Sequence, residues 1–342
     1  MFCRESTARN VMSGPPGRCI VCGSGLGPDR ITSKEMIFGT GEVFTYLQCE
    51  VCRSVQLEMI PDHLDRYYPE QYPAFRWNSF AVDKLGELIF YHGLIDRSIA
   101  RTTGKSISAT IQTCAIEAFR LIPRIRWLMG VLEPRPDMKV LDVGCGSGIH
   151  LRILRLLGYR NLSGIDPFLR KPFRRAGVSL IRGSVHDMKG SYDLVLLNHS
   201  LEHMPDPKEV LEQVSRLLSE DGMCVIRIPV VPSYAWEKYG GSWSQLDPPR
   251  HIFVPSVDGL KLLASQCGMD AISTEFVSDD FQFWGSEQIV RGIHLLDEKS
   301  YSKNKRASGF SRSQIRKFRE MSARLNAEGR GDEVVICMRR AR

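Results

Sequence analysis

The chain has 342 residues, 43% of them hydrophobic and 25% charged, with a formal net charge of +7. That length can bury a sizeable core and exceeds what one small domain needs. No apolar run approaches the roughly 20 residues that span a bilayer. The polar opening stretch MFCRESTARNVMSGPP lacks the apolar centre of a secretory signal, so a cytoplasmic location is expected.

Four of the ten cysteines form two pairs, Cys19-Ile-Val-Cys22-Gly23 and Cys49-Glu-Val-Cys52. A C-x-x-C turn lets two thiolates converge on one cation, and two such turns complete a tetrahedral four-sulfur zinc site. Four protein sulfurs close the coordination shell, so the expected Zn2+ is structural. VFTYLQCEVC and RSVQLEMI flank the second pair as strands of a zinc-ribbon-like module, assigned to residues 1–75. Cys3, Cys114, Cys145, Cys224, Cys267 and Cys337 stand alone and read as small core or surface residues.

Next come YYPEQY and two stretches with helical apolar spacing, FAVDKLGELIFYHGLIDRSIAR and SISATIQTCAIEAFRLIPRIRWLMGVL, the latter interrupted at Pro123. They make a helical linker or cap over 76–136, closed by EPRPD. From Lys139 strands and helices alternate. KVLDVG, NLSGID, VSLIRGS, SYDLVLLN, MCVIRIPV, MDAISTEFVS and EVVICMRR read as strands. GIHLRILRLLG, PFLRKPFRRAG, DPKEVLEQVSRLLSEDG (capped by Asp206, with Pro207 in its first turn) and VDGLKLLASQCG read as helices. The fold class is therefore α/β: a mostly parallel, seven-stranded, Rossmann-like sheet over 137–342, with a helical insertion before the last strand.

Ligands of such sheets bind beyond the carboxyl ends of the strands. There the first strand ends in DVGCGSG, with Gly144, Gly146 and Gly148 at alternate positions and Asp142 two residues before the first. A dinucleotide loop has G-x-G-x-x-G. A pyrophosphate at a helix N-terminus disfavours a neighbouring carboxylate, whereas a ligand with ammonium and sulfonium charges favours one.

On these residues the chain resembles the class I S-adenosylmethionine (SAM)-dependent methyltransferases over about 137–280. The likeness extends through Asp166 in LSGIDPF and through SYDLVLLNHSLEHMPDPKEVLEQVSRLLSEDGMCVIRIP. It implies that Asp142, Gly144, Gly146, Gly148 and Asn198 border the cofactor and that Asp166 accepts from its ribose hydroxyls. Where many relatives have Gly-Asp for the adenine, this chain has Gly183-Ser184, with Asp187 three residues on. Ser184, Asp187 or main-chain groups remain alternatives for that task.

Methyl transfer to a hydroxyl needs the acceptor positioned and its proton removed. Three histidines are candidates: His199 and His203 in NHSLEHMPDP, and His251 in LDPPRHIFVPS. His251 is favoured as base or orienter, with His203 second. Asp247 and Arg250 stand ready to orient the acceptor or bind its phosphate. Tyr234, Trp236, Tyr239 and Trp243 offer stacking surfaces or loop packing. The four-cysteine module, YYPEQY and PPRHIFVPS together resemble methyltransferases of bacterial surface-polysaccharide and nucleotide-sugar pathways. That likeness implies a sugar or glycan hydroxyl, or a sugar carbon, as acceptor. The basic runs RKPFRR (170–175) and Lys303 to Arg324 support an alternative, an RNA methyltransferase gripping RNA with its zinc module. A non-catalytic SAM-binding scaffold is the third reading.

Overall fold

The computed structural model describes residues 17–69, 72, 123–132, 135–175 and 177–341. Both helical stretches of the 76–136 region lie outside the described residues up to Pro123, where helix α1 (Pro123–Val131) begins. Among the described residues no helix is long and apolar enough to cross a membrane.

The larger sheet has eight strands. Its centre is parallel: β4 (Lys139–Val143) pairs with β5 (Asn161–Asp166) and β8 (Tyr192–Asn198), β5 with β7 (Val178–Arg182), and β8 with β9 (Leu218–Pro229). β12 (Glu333–Arg340) runs antiparallel between β9 and β11 (Met269–Phe276). Val140, Leu141, Val195, Leu196, Leu197, Val225 and Ile226 are all fully buried, as expected of strands covered on both faces. Covering helices include α2 (Ile149–Leu156), α3 (Pro207–Leu217) and α5 (Val257–Gln266). α3 buries Val210, Leu211, Val214 and Leu217 at helical spacing, and Asp206 caps it by accepting from the Glu209 N–H at 3.1 Å.

Two local expectations fail. PFLRKPFRRAG is not a helix; it carries β6 (Phe173–Arg175), a short antiparallel edge strand on β7 that makes eight strands instead of seven. Pro167 and Pro172 remove two backbone donors from the run, and Arg174 and Arg175 give the edge the charge that discourages further pairing. α3 also stops at Leu217 instead of reaching Gly222, because Leu218 turns extended and pairs with Tyr192.

The smaller sheet is antiparallel, in the order β1 (Leu26–Lys34), β2 (Val43–Cys49), β3 (Val55–Leu57), β10 (Phe253–Val254). Its fourth strand comes from the long connection after β9. The same connection holds α4 (Tyr234–Tyr239). Its Val231, Ala235, Trp243, Leu246 and Val254 share an apolar cluster with Tyr46, Val55 and Leu57. The Tyr46 hydroxyl donates to the carbonyls of Leu246 (3.0 Å) and His251 (2.7 Å). The N-terminal sheet is thus packed directly onto the loop that carries His251.

Candidate functional site

The loop from β4 to α2 turns through three glycines with φ of +74° (Gly144), +51° (Gly146) and +73° (Gly148), a region that favours glycine. The Gly144 and Cys145 N–H groups donate to the Ile165 carbonyl at 2.8 and 3.2 Å. Asp166 holds the next turn: one carboxylate oxygen accepts from the Gly146 N–H (2.9 Å) and the other from Phe168 (2.8 Å). Burial pushes its pKa up. Both oxygens therefore brace the loop, and each keeps a lone pair for a further donor.

A cavity of about 360 Å³ opens beside this loop, lined by Gly144, Gly146, Asn198, His199, His203 and His251 among others. The structure thus gathers the glycine loop and all three candidate histidines around one space. Ser184 and Asp187 lie apart from it: they cap a one-turn helix, with the Ser184 N–H donating to Asp187 at 2.8 Å.

The rings of His203 and His251 meet edge to face, 4.8 Å apart. His251 Nδ1 lies 2.7 Å from the Gln245 carbonyl and His203 Nδ1 2.8 Å from that of Arg250. A carbonyl only accepts, so Nδ1 carries a proton in each ring, which leaves Nε2 as the acceptor of a neutral ring. Burial, with His203 nearby, lowers the pKa of His251 to about 4 and keeps it neutral. Glu202 (3.9 Å) and Asp247 (4.0 Å) stand near its Nε2, ready to steady a positive charge there. Tyr68, from YYPEQY, places its hydroxyl 3.1 Å from His203 Nδ1 and stacks on Phe168.

His199 has a different character. Its φ is +47°, uncommon for a residue with a side chain. Its ring nitrogens lie 3.2 Å from Glu202 and 2.8 Å from Glu333. Burial opposes the charge, but Glu333 and Glu202 outweigh it and hold the imidazole protonated, with a pKa of about 9. Arg227 pairs with the other oxygen of Glu333. His199 is thus an ionic support and does not present a free lone pair.

Arg250 is not available to an acceptor. Its guanidinium is fully buried between Asp247 (2.6 Å) and Glu35 (2.7 Å). Of the four loop aromatics only Trp243 lines the cavity, with its Nε1–H donating to Asp332 at 2.9 Å. Trp236 packs on Trp243, Tyr234 on Phe283, and the Tyr239 hydroxyl donates to Glu287. Glu202 escaped sequence reasoning although it adjoins His203. Glu35 gives no sequence signal at all.

Among the described residues several buried polar atoms have no hydrogen-bond partner: Ser147 Oγ, which lines the cavity, and Asp142 Oδ2, Ser200 Oγ and Glu202 Oε2. Unpaired buried acceptors and hydroxyls are costly unless a ligand satisfies them. At the glycine loop they suit a ligand bearing an ammonium group, as SAM does. Glu202, His203 and His251 bring one ligand atom each within 4.8 Å, a spacing that also suits a divalent cation. At one end of the small sheet Cys19, Cys22, Cys49 and Cys52 form a second such group. Their Sγ atoms pair at 3.6 Å (Cys19–Cys52) and 3.5 Å (Cys22–Cys49). The edge of a tetrahedron with 2.3 Å arms is ~3.8 Å, so the donor set fits zinc.

A doubly wound sheet with an acidic-x-G-x-G-x-G turn after its first central strand and an acid closing the next is a Rossmann-like methyltransferase fold. In agreement, residues 117–274 match the family model described as a methyltransferase domain. The chain is 28% identical over 181 residues to a tRNA U34 carboxymethyltransferase of Psychromonas ingrahamii, covering 47% of this chain and 50% of that one. It is 32% identical over 105 residues to the mitochondrial ubiquinone biosynthesis O-methyltransferase of Saccharomyces cerevisiae, covering 27% and 34%. It thus spans half or less of the length of these relatives. A methyltransferase solved with the Trm112 activator of Haloferax volcanii superposes with a TM-score of 0.45 at 15% identity, over 68% of this chain and 95% of that one.

Proposed function

We propose that the chain transfers a methyl group from SAM to a hydroxyl of a small-molecule acceptor, and that four cysteines hold a structural zinc. The carrying observation is that His203 and His251, each with Nδ1 at a main-chain carbonyl, line the cavity that the glycine loop borders. SAM supplies the electrophilic methyl carbon. The chain's own residues do the rest. The glycine loop, Asp142 and Asn198 border the methionine end, and Asp166 offers its spare lone pairs to the ribose. Ser184 and Asp187 are retained for the adenine. With SAM bound, its sulfonium would release the methyl carbon to the acceptor oxygen, and His251 would take the proton of that hydroxyl, with His203 as its neighbour. General-base help is worth about 10²–10⁴-fold when the base is matched to the working pH; burial weakens His251 as a base, and Glu202 and Asp247 beside its Nε2 offset that by steadying the charge it would gain.

A sugar or glycan hydroxyl, or a sugar carbon, remains the reading inherited from the polysaccharide-pathway likeness, but neither relative's name supports it. A second reading has a specific observation behind it. At the opposite end of the sheet, Lys139, Arg160, Arg174 and Lys189 are exposed around one groove. Such a cluster suits a phosphate backbone, and a tRNA-modifying relative fits it.

The test is incubation of zinc-replete protein with methyl-labelled SAM and separate small-molecule and RNA fractions. Label in small molecules supports the first reading. Label in RNA replaces it with the second. SAM binding with no label in any fraction leaves the scaffold.

A further inference from the structure

The cavity is not uniform along its length. Its inner end, beside the glycine loop, carries His199, Arg227, Asp247 and the histidine pair. Its outer end is lined by Met36, Ile37, Phe281, Ile289, Ile293 and Leu295. Each of these six apolar side chains is only partly buried; Phe281 and Leu295 also pack on Trp284, Phe310 and Ile315, and together the six leave a contiguous apolar lining open, the feature that marks a binding groove. They come from two places: the loop between β1 and β2, and the segment from α6 (Phe281–Val290) to Leu295. Main-chain bonds lock these together, Leu295 N–H to the Met36 carbonyl at 2.8 Å and Leu296 N–H to that of Ile37 at 3.1 Å.

The polar groups of this outer end are already spent on the protein. Ser33 Oγ donates to the Gly241 carbonyl (2.6 Å) and Ser244 Oγ to that of Phe281 (3.3 Å). The Gln288 amide donates to Ser300 (3.2 Å) and accepts from the Tyr301 N–H (2.6 Å). Lys34 at the rim is the outer end's one charge among the described lining residues. A ring of hydroxyls placed here would give up water for few new partners, which is costly. An apolar body would give up nothing and cover the six side chains. Beyond them a second hollow, sharing Ser33, Lys34, Met36 and Ile289, continues past Gly39 and Gly41 to the exposed Val290.

We infer that the acceptor carries its reacting hydroxyl on an apolar body, held between the β1–β2 loop and the α6–Leu295 segment with the hydroxyl at His203 and His251. This rests on the methyl-transfer reading and assigns the N-terminal sheet a part in choosing the acceptor.

The probes are 4-methyl-, 4-butyl- and 4-octylcatechol, titrated into the full chain loaded with zinc and S-adenosylhomocysteine, with methyl glucoside as polar comparison. Wild-type affinity should rise about two- to fourfold per added methylene, up to the value for full burial of a CH2 group. In Met36→Ser and, separately, Ile289→Ser the gain should fall below about twofold per methylene. Affinity for S-adenosylhomocysteine should be unchanged, which also shows that the variants are folded. A wild-type series that is flat or does not bind overturns the inference, as does an undiminished gain in both variants. Methyl glucoside binding as tightly as octylcatechol does the same. Loss of S-adenosylhomocysteine binding by the wild-type chain would instead overturn the methyltransferase reading itself.

Discussion

Arg250 Nη2 lies 2.7 Å from the carboxylate of Glu35, 215 residues earlier in the chain, and neither side chain has any exposure. The pair joins the loop after β1 to the residue preceding His251. Glu35 also accepts from the N–H groups of Ile37, Phe38 and Thr40, so it shapes the loop as well as anchoring the arginine. Burial pushes the pKa of Glu35 up, but the Phe38 N–H and then the Arg250 guanidinium outweigh it and hold it below the usual carboxylate value.

Breaking this pair should therefore be expensive. Removing one partner of a buried ion pair strands the other, at a cost on the order of 3–5 kcal/mol. Glu35→Ala should lower the unfolding free energy by about that much in urea titrations. A loss below ~1 kcal/mol would show that Asp247 alone suffices for Arg250.

His251→Ala separates chemistry from cofactor binding. Calorimetric affinity for SAM should stay near normal while turnover falls at least about a hundredfold. Near-normal turnover would move the base to His203, and His203→Ala would then be the variant to assay.

Gly144→Ala tests the cofactor loop. A Cβ there would stand 2.4 Å from the Ser200 Cβ, on a backbone with φ +74°. The loop must shift, so SAM binding should become undetectable by calorimetry while the far-ultraviolet circular dichroism of the sheet persists. Unchanged affinity would place the cofactor elsewhere.

Cys49→Ser should reduce bound zinc below one equivalent by atomic absorption and lower the melting temperature, since metal affinity is part of the folding free energy here. Carefully purified wild-type protein without zinc would refute the four-sulfur site.

Asp332 supplies a pH signature. Burial raises its pKa to about 7, against about 3.9 unfolded. A raised folded pKa means the protonated form is favoured on folding. Its contribution is full below about pH 4 and is lost as pH rises through 7. Asp332→Asn keeps an acceptor for the Trp243 N–H and removes the titration. The variant's stability relative to wild type should therefore improve steadily between pH 4 and 7 and then level off. Parallel denaturation curves across that range would contradict the assignment.

How much of this could be read from the residues alone depended on the range of the interaction. The glycine loop, Asp166 and the capped helix at Asp206 are local patterns, and each appears where its spacing put it. The fate of PFLRKPFRRAG was decided by two prolines and a neighbouring strand, which outweighed its apolar spacing. Arg250 looked like a substrate ligand because its partner Glu35 lies in another element, invisible to any local rule. Gathering His203 and His251 in one cavity likewise needed the whole connection after β9 to fold back. The apolar mouth drew on segments near both ends of the chain, so no single stretch announced it.

The two-residue strand β10 begins two residues after His251 and is the fourth strand of the cysteine sheet. Just beyond it, Ser256 bonds through its N–H to Ser54 and through its hydroxyl to the carbonyl of Cys52. During synthesis, then, the first fifty-odd residues must wait for some two hundred more before their sheet is complete, and the histidine is set in the same closing event. The chain has in effect one clasp, fastened late. A change at either end of that clasp is therefore felt at the other, although some two hundred residues of chain lie between them.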